Sequence, residues 1–112
     1  MNKIQFGVRV PNSGPLCSKE NIVKAAKEAE NLGFDSVCVH DHVVWSPEMH
    51  RHHISSGATE AISEDQDANF FEALTTLAYL GAETKTITLG VACLVMPCRN
   101  PLYAAKRTAT GG

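Results

Sequence analysis

No stretch of the 112 residues is long and apolar enough to cross a bilayer, and no stripe of lysine and arginine marks a face for nucleic acid. Ten basic against twelve acidic residues leave a formal charge of −2, a near-neutral balance that argues against nucleic acid as a partner. A C-x-x-C pair is missing among the four cysteines, Cys17, Cys38, Cys93 and Cys98. Cys38 and Cys93 lie inside apolar runs, where a free thiol acts as a small buried hydrophobe. A secretory leader is not read either, because Met1-Asn2-Lys3 leads straight into a strand pattern. These absences leave a reduced, cytoplasmic chain with no membrane and no nucleic-acid role, and 44% hydrophobic content suits one globular domain.

What is present is a regular succession of strands and helices. Residues 3–10 alternate, with Ile4, Phe6, Val8 and Val10 on one face and Gln5, Gly7 and Arg9 on the other. The turn residues 11–15 stop this strand. Ser18 is an N-cap for a helix to Leu32, with Ile22, Ala25, Ala26, Ala29 and Leu32 on its apolar stripe and Gly33 at its left-handed end. A second strand covers 36–40, and a third covers 86–95. Between them, residues 46–68 lose all periodicity and read as a long loop, of the kind that is functional or disordered. Asn69 then caps a helix, with Glu72 completing an Asn-x-x-Glu box and Phe70, Leu74, Leu77, Ala78 and Leu80 on its stripe. Asn100 and Pro101 start a last helix, and the chain ends in Gly111-Gly112 soon after.

The order β-α-β-loop-α-β-α points to a parallel sheet. Each strand has one apolar face and one small or polar face: Gln5/Gly7/Arg9, Ser36/Cys38/His40 and Thr88/Gly90/Ala92. An open sheet covered on both sides wants two apolar faces, whereas a barrel with a ligand at its mouth accepts small and polar side chains inside. The expected fold is therefore α/β, the first three βα units of a (β/α)8 TIM barrel. Residues 1–112 form one partial domain, truncated relative to the roughly 250 residues of a closed barrel. Its open edges would be buried against a second copy or a longer chain, so a homo-oligomer is an expected state.

The second strand runs directly into His40, Asp41 and His42. Ligands of parallel sheets collect beyond the carboxyl ends of the strands, which makes this ending the candidate site. His42 is a natural general acid or base near neutral pH, and Asp41 its companion; the alternative is a pair that caps the strand. His40 falls on the small-polar face, as a site residue or as a structural histidine bonded to the next strand. Arg9 on that face would neutralise Asp41 or an anionic substrate, or make an internal ion pair. Arg99 reads as a solvated surface arginine, with contact to a phosphate or carboxylate near the N-terminus of the last helix as the alternative. Trp45 and Phe71 read as packing, with Trp45 as a wall of the substrate pocket in the alternative, and Cys93 reads as buried and inert. The loop residues Glu48, His50, His52 and His53 invite a metal, but H-x-H-H matches no standard zinc spacing and no metal is expected.

The segments GFDSVCVHDHVVW, FFEALTTLAYLGAET, TITLGVACLVMPCRNP and LYAAKRTAT, in this order and spacing, closely resemble the bacterial luciferase-like monooxygenase superfamily over residues 3 to 110. The resemblance implies a flavin- or deazaflavin-dependent oxidoreductase, using FMN or coenzyme F-420 and acting on a small organic substrate, with a flavin reductase as a further partner. It places the ring across the C-terminal mouth of the barrel. Asp41 and His42 match the family's catalytic pair beside the ring, and His40, Ala92 and Cys93 are the implied cofactor contacts. A non-proline cis peptide is implied at Ala92–Cys93. The residues that grip the cofactor's phosphate tail lie further along the family's barrel, which implies an N-terminal part inactive alone. The His40-x-His42 ending also resembles metal-dependent hydrolase barrels, which leaves a hydrolase-like fragment as the rival, beside a non-catalytic partner subunit.

Overall fold

A computed structural model describes residues 3–56 and 69–111, apart from the side chains of His50, His53 and Ile54. Three short strands, β1 (Gly7–Arg9), β2 (Ser36–Val39) and β3 (Thr88–Val91), form one parallel sheet in the order β1-β2-β3. The register aligns Val8 with Val37 and Leu89, and Arg9 with Cys38 and Gly90. Residues side by side in register point to the same face. One face therefore carries Val8, Val37, Val39, Leu89 and Val91, and the other carries Gly7, Arg9, Ser36, Cys38, Thr88 and Gly90.

Helices α1 (Lys19–Asn31) and α3 (Ala73–Glu83) pack on the apolar face. The core they close holds Val10, Ile22, Ala26, Ala29, Val37, Val39, Ala73, Leu80 and Ile87. Fully burying a side chain such as Ile22 or Leu80 stabilises the fold by about 1.5–3 kcal/mol. Helix α1 starts as its sequence requires, with Ser18 Oγ accepting from Asn21 N at 3.1 Å. It ends at Leu32, where Gly33 takes φ +81°, a conformation that side chains resist. At the entry to β3 a single Glu30 oxygen accepts the N–H groups of Lys85, Thr86 and Ile87 at 2.6–3.0 Å. Those bonds hold the Glu30 carboxyl down to about 2.

Several boundaries differ from the expected ones. The strands are shorter than 3–10, 36–40 and 86–95, because pairing covers only residues 7–9, 36–39 and 88–91 of them. Ile4 and Phe6 lie before the first pairing and are exposed, as is Leu32 at the end of the α1 stripe. The stretch read as a loop over 46–68 contains a helix, α2 (Pro47–Ser55), with proline opening it and Ser46 Oγ accepting from Met49 N. Residues 57–68 of that expected loop lie outside the described residues. Helix α3 begins at Ala73 instead of at Asn69. The Phe70 bridge to Ser13 and the Phe71 N–H to Asn12 O bond keep the intervening residues extended. Glu72 is itself the N-cap, accepting from Leu74 N and Thr75 N. After β3 a 3-10 turn (Met96–Cys98) leads to α4 (Pro101–Gly111), and Asn100 Oδ1 accepts from Leu102 N and Tyr103 N. No helix among the described residues is long and apolar enough to cross a membrane.

Candidate functional site

Beyond the carboxyl ends of β1 and β2 the chain is stapled by Asn12, a residue the sequence offers only as a turn former. Asn12 is 1% exposed. Its Nδ2 donates to His40 O at 2.7 Å and to Phe71 O at 3.3 Å, and its Oδ1 accepts from His40 N at 3.0 Å. One amide thus holds the end of β2 to the approach to α3 and satisfies backbone groups that no strand reaches. An isolated Asn in Pro-Asn-Ser-Gly looks the same whether it turns or staples, so no signal in the sequence singles it out.

Asp41 follows directly on this staple and is buried. Its side chain is 0% exposed, and its two oxygens take three N–H groups. Arg99 Nη2 donates to Oδ1 at 2.5 Å, Arg99 Nε to Oδ2 at 3.3 Å and Val95 N to Oδ2 at 2.8 Å. Arg99, expected at the solvated surface, is buried with 8% of its side chain exposed, and its Nη1 donates to Glu72 Oε1 at 2.6 Å. Burial works against the Arg99 charge, but the bonds to Asp41 and Glu72 outweigh it and push its pKa above the ordinary value. Burial likewise raises Glu72, yet the Thr75 and Leu74 bonds and the Arg99 contact hold it down to about 2. This carboxylate-guanidinium-carboxylate chain ties β2, the segment after β3 and the start of α3 together. The expected partnership of Arg9 with Asp41 is replaced by this one: Arg99 fills the place, and Arg9 Nη1 lies 3.1 Å from His40 Nε2 instead.

His42 sits between rings. Its imidazole centroid is 4.6 Å from Trp45 and 4.8 Å from Phe70, and those two rings are 5.6 Å apart. Trp45 and Phe70 thereby fix where the imidazole stands. His40 is half-buried on the other face of the sheet with Arg9, and burial, the Arg9 charge and His42 keep it below the usual histidine range. Past β3, the peptide between Ala92 and Cys93 is cis, as the resemblance implies. Cys93 is exposed, not buried: β3 ends at Val91, so the alternation that was to carry Cys93 inward stops before it. All four cysteines are free thiols. His52 lies exposed on α2, and no three His, Cys, Asp or Glu among the described residues converge as metal ligands.

The site therefore has two parts. An ionic and amide frame, the buried Asn12, Asp41 and Arg99 with the part-exposed Glu72, positions the strand ends. Beside it stand His40, His42, Trp45, Arg9 and the Ala92–Cys93 turn. The open sheet face leading to them is lined by small residues, Gly7, Ser36, Cys38 and Gly90. Comparison with known families finds the luciferase-like monooxygenase model matching residues 4–110, and the chain belongs to that family. Its three-stranded parallel sheet with helices on one face is a partial β/α barrel of that fold. No curated protein matches the chain.

Proposed function

We propose, from membership of a family of monooxygenases, that this chain supplies the first wall of a flavin- or deazaflavin-dependent oxidoreductase site, with FMN or coenzyme F-420 as the cofactor and a small organic molecule as the substrate. The observation that carries this reading is the open sheet face. Gly90 has no side chain, a Cβ built there would meet Cys38 Sγ at 3.5 Å, and Ala92 continues the same small surface. Such a face fits a flat ring, and the cis peptide at Ala92–Cys93 lies at its upper end. The bound ring would supply hydride or oxygen chemistry, which side chains cannot.

The chain's own residues position and protonate. His42 holds or delivers a proton at an imidazole nitrogen, its ring kept in place by Trp45 and Phe70. Asp41 acts through position: with both oxygens engaged by Arg99 and Val95 N–H, it fixes the backbone from which His42 projects. His40, Ala92 and Cys93 contact the ring. The further strands of an eight-stranded barrel complete the mouth and grip the cofactor tail, so the three strands alone are inactive. Free thiols at all four cysteines support a reducing compartment such as the cytoplasm. A flavin reductase is the natural source of reduced FMN, and a second copy or further barrel strands would cover the edges of β1 and β3.

Between the oxidoreductase and a metal-dependent hydrolase, the partners of the two histidines favour the former. His40 is taken by Arg9, a cation that repels a metal ion, and His42 is packed among rings. The test is a titration of the chain with FMN and with coenzyme F-420, following backbone amide NMR signals. Saturable shifts centred on Gly90, Ala92 and Cys93 support the ring seat. Shifts confined to the helical face, or none with either cofactor from a folded chain, reject it.

A further inference from the structure

The open face carries one charged contact, between Arg9 and His40, and ring seating at His40 and proton transfer at His42 leave its charge unused. Arg9 stands opposite Cys38 in the sheet, and His40 follows two residues later on the same face. A guanidinium can only donate hydrogen bonds, so the 3.1 Å contact between Arg9 Nη1 and His40 Nε2 requires an unprotonated Nε2. The ring is then neutral, with its proton on Nδ1, where it is a donor. Among the described residues the salt bridges are Lys3–Asp35, Lys27–Glu83, Arg99–Asp41 and Arg99–Glu72, so no carboxylate neutralises Arg9. Among the described residues the side chains that face His40 are Arg9 on β1, the Cys38 thiol before it and His42 after it, while β3 carries Thr88 and Gly90 on this face and Ala92 follows just past its end. Burial, Arg9 and His42 all disfavour a second proton on His40. A cation with no counter-ion among the described residues, beside a neutral ring whose tautomer it sets, on a face of small residues, is complementary to an anion that approaches from the open side.

We propose that Arg9 and His40 form a two-donor binding site for a substrate carboxylate, Arg9 supplying the charge and the Nδ1–H of neutral His40 the direction. The site rests on the reading of the open face as the reactive face, but it is observable with no cofactor present. The chain, labelled with 15N and 13C at histidine, is titrated with sodium benzoate and, separately, with benzamide, its uncharged counterpart. At neutral pH the His40 ring signals are expected to report a neutral imidazole protonated on Nδ1. Benzoate shifts them saturably and benzamide does not. Arg9→Met, which keeps the aliphatic stem of an exposed side chain, weakens benzoate about tenfold or more, the loss of a charge-assisted hydrogen bond. Arg9→Lys retains part of the affinity, and unchanged His42 ring signals verify that each variant is folded. A protonated or Nε2–H His40, an equal response to benzoate and benzamide, no response at all, or full affinity in folded Arg9→Met overturns the proposal. The cofactor titration is a separate reading: ring binding without carboxylate binding rejects only this site, and the reverse rejects only the cofactor assignment.

Discussion

Arg99 and Asp41, fifty-eight residues apart, form a fork-to-carboxylate ion pair with Nη2 2.5 Å from Oδ1 and both side chains all but closed to solvent. Two desolvated charges are tolerated only because each has its partner. Removing one leaves the other stranded, so Arg99→Met is expected to cost about 3–5 kcal/mol in urea unfolding. Asp41→Asn keeps an acceptor for Val95 N–H but strands the guanidinium less severely, because Glu72 still holds Arg99. Its cost is expected to be the smaller of the two. The double variant should recover part of the Arg99→Met loss, and strict additivity of the two single losses would mean that the pair does not interact.

Acid should loosen the sheet through Glu30. Its carboxyl lies at about 2 in the folded chain against an ordinary 4.5, so the folded state favours the ionised form. That contribution is complete above the unfolded value and is lost as pH falls through the folded one. Glu30→Gln is therefore expected to unfold at lower urea than the parent at neutral pH, with the two midpoints converging as pH falls from 4.5 towards 2. A gap that stays constant over that range would show that the Lys85–Ile87 amides do not depend on the carboxylate charge.

The face assignment of the sheet was legible because side chains alternate with period two: Ser36/Cys38 and Thr88/Gly90 lie on the open face as their spacing implies. The caps Ser18 and Asn100 were legible for a similar reason, since a cap acts within three residues of itself. Arg99 was not. Whether an arginine is solvated or buried depends on a carboxylate that arrives from fifty-eight residues away, and no local pattern encodes that meeting. Glu72 shows the middle case. Its capping role was visible, but its exact place was not, because tertiary bonds from Asn12 O and Ser13 hold residues 70 and 71 extended and delay the helix.

Asn12 should be intolerant of shape-preserving changes as well as of truncation. Its amide donates to two carbonyls and accepts from one N–H, a set that Asp cannot reproduce because a carboxylate only accepts. Asn12→Ala leaves these buried backbone groups without partners, at an expected cost of about 1–3 kcal/mol. Asn12→Asp is expected to cost at least as much at neutral pH, with part of the loss regained on acidification as the carboxyl acquires a proton to donate. Hydrogen exchange at the His40 amide gives a local reading: faster exchange in both variants supports the staple, and unaltered exchange counts against it.

For His42, packing and proton transfer can be separated by choosing what replaces the ring. His42→Phe keeps an aromatic plane against Trp45 and Phe70 but has no titratable nitrogen. His42→Ala removes both, and the lost ring contacts alone are worth about 0.5–1.5 kcal/mol. In a complete barrel built to include these residues, His42→Phe is expected to melt close to the parent while turnover falls by about 100- to 10,000-fold, the usual contribution of a positioned acid or base. The limb of the pH-rate profile that belongs to His42 should vanish with it. Near-parental turnover in a stable His42→Phe enzyme would make the imidazole a packing element of the Trp45–Phe70 cluster, and the proton would then have to be moved by a group outside the three strands described.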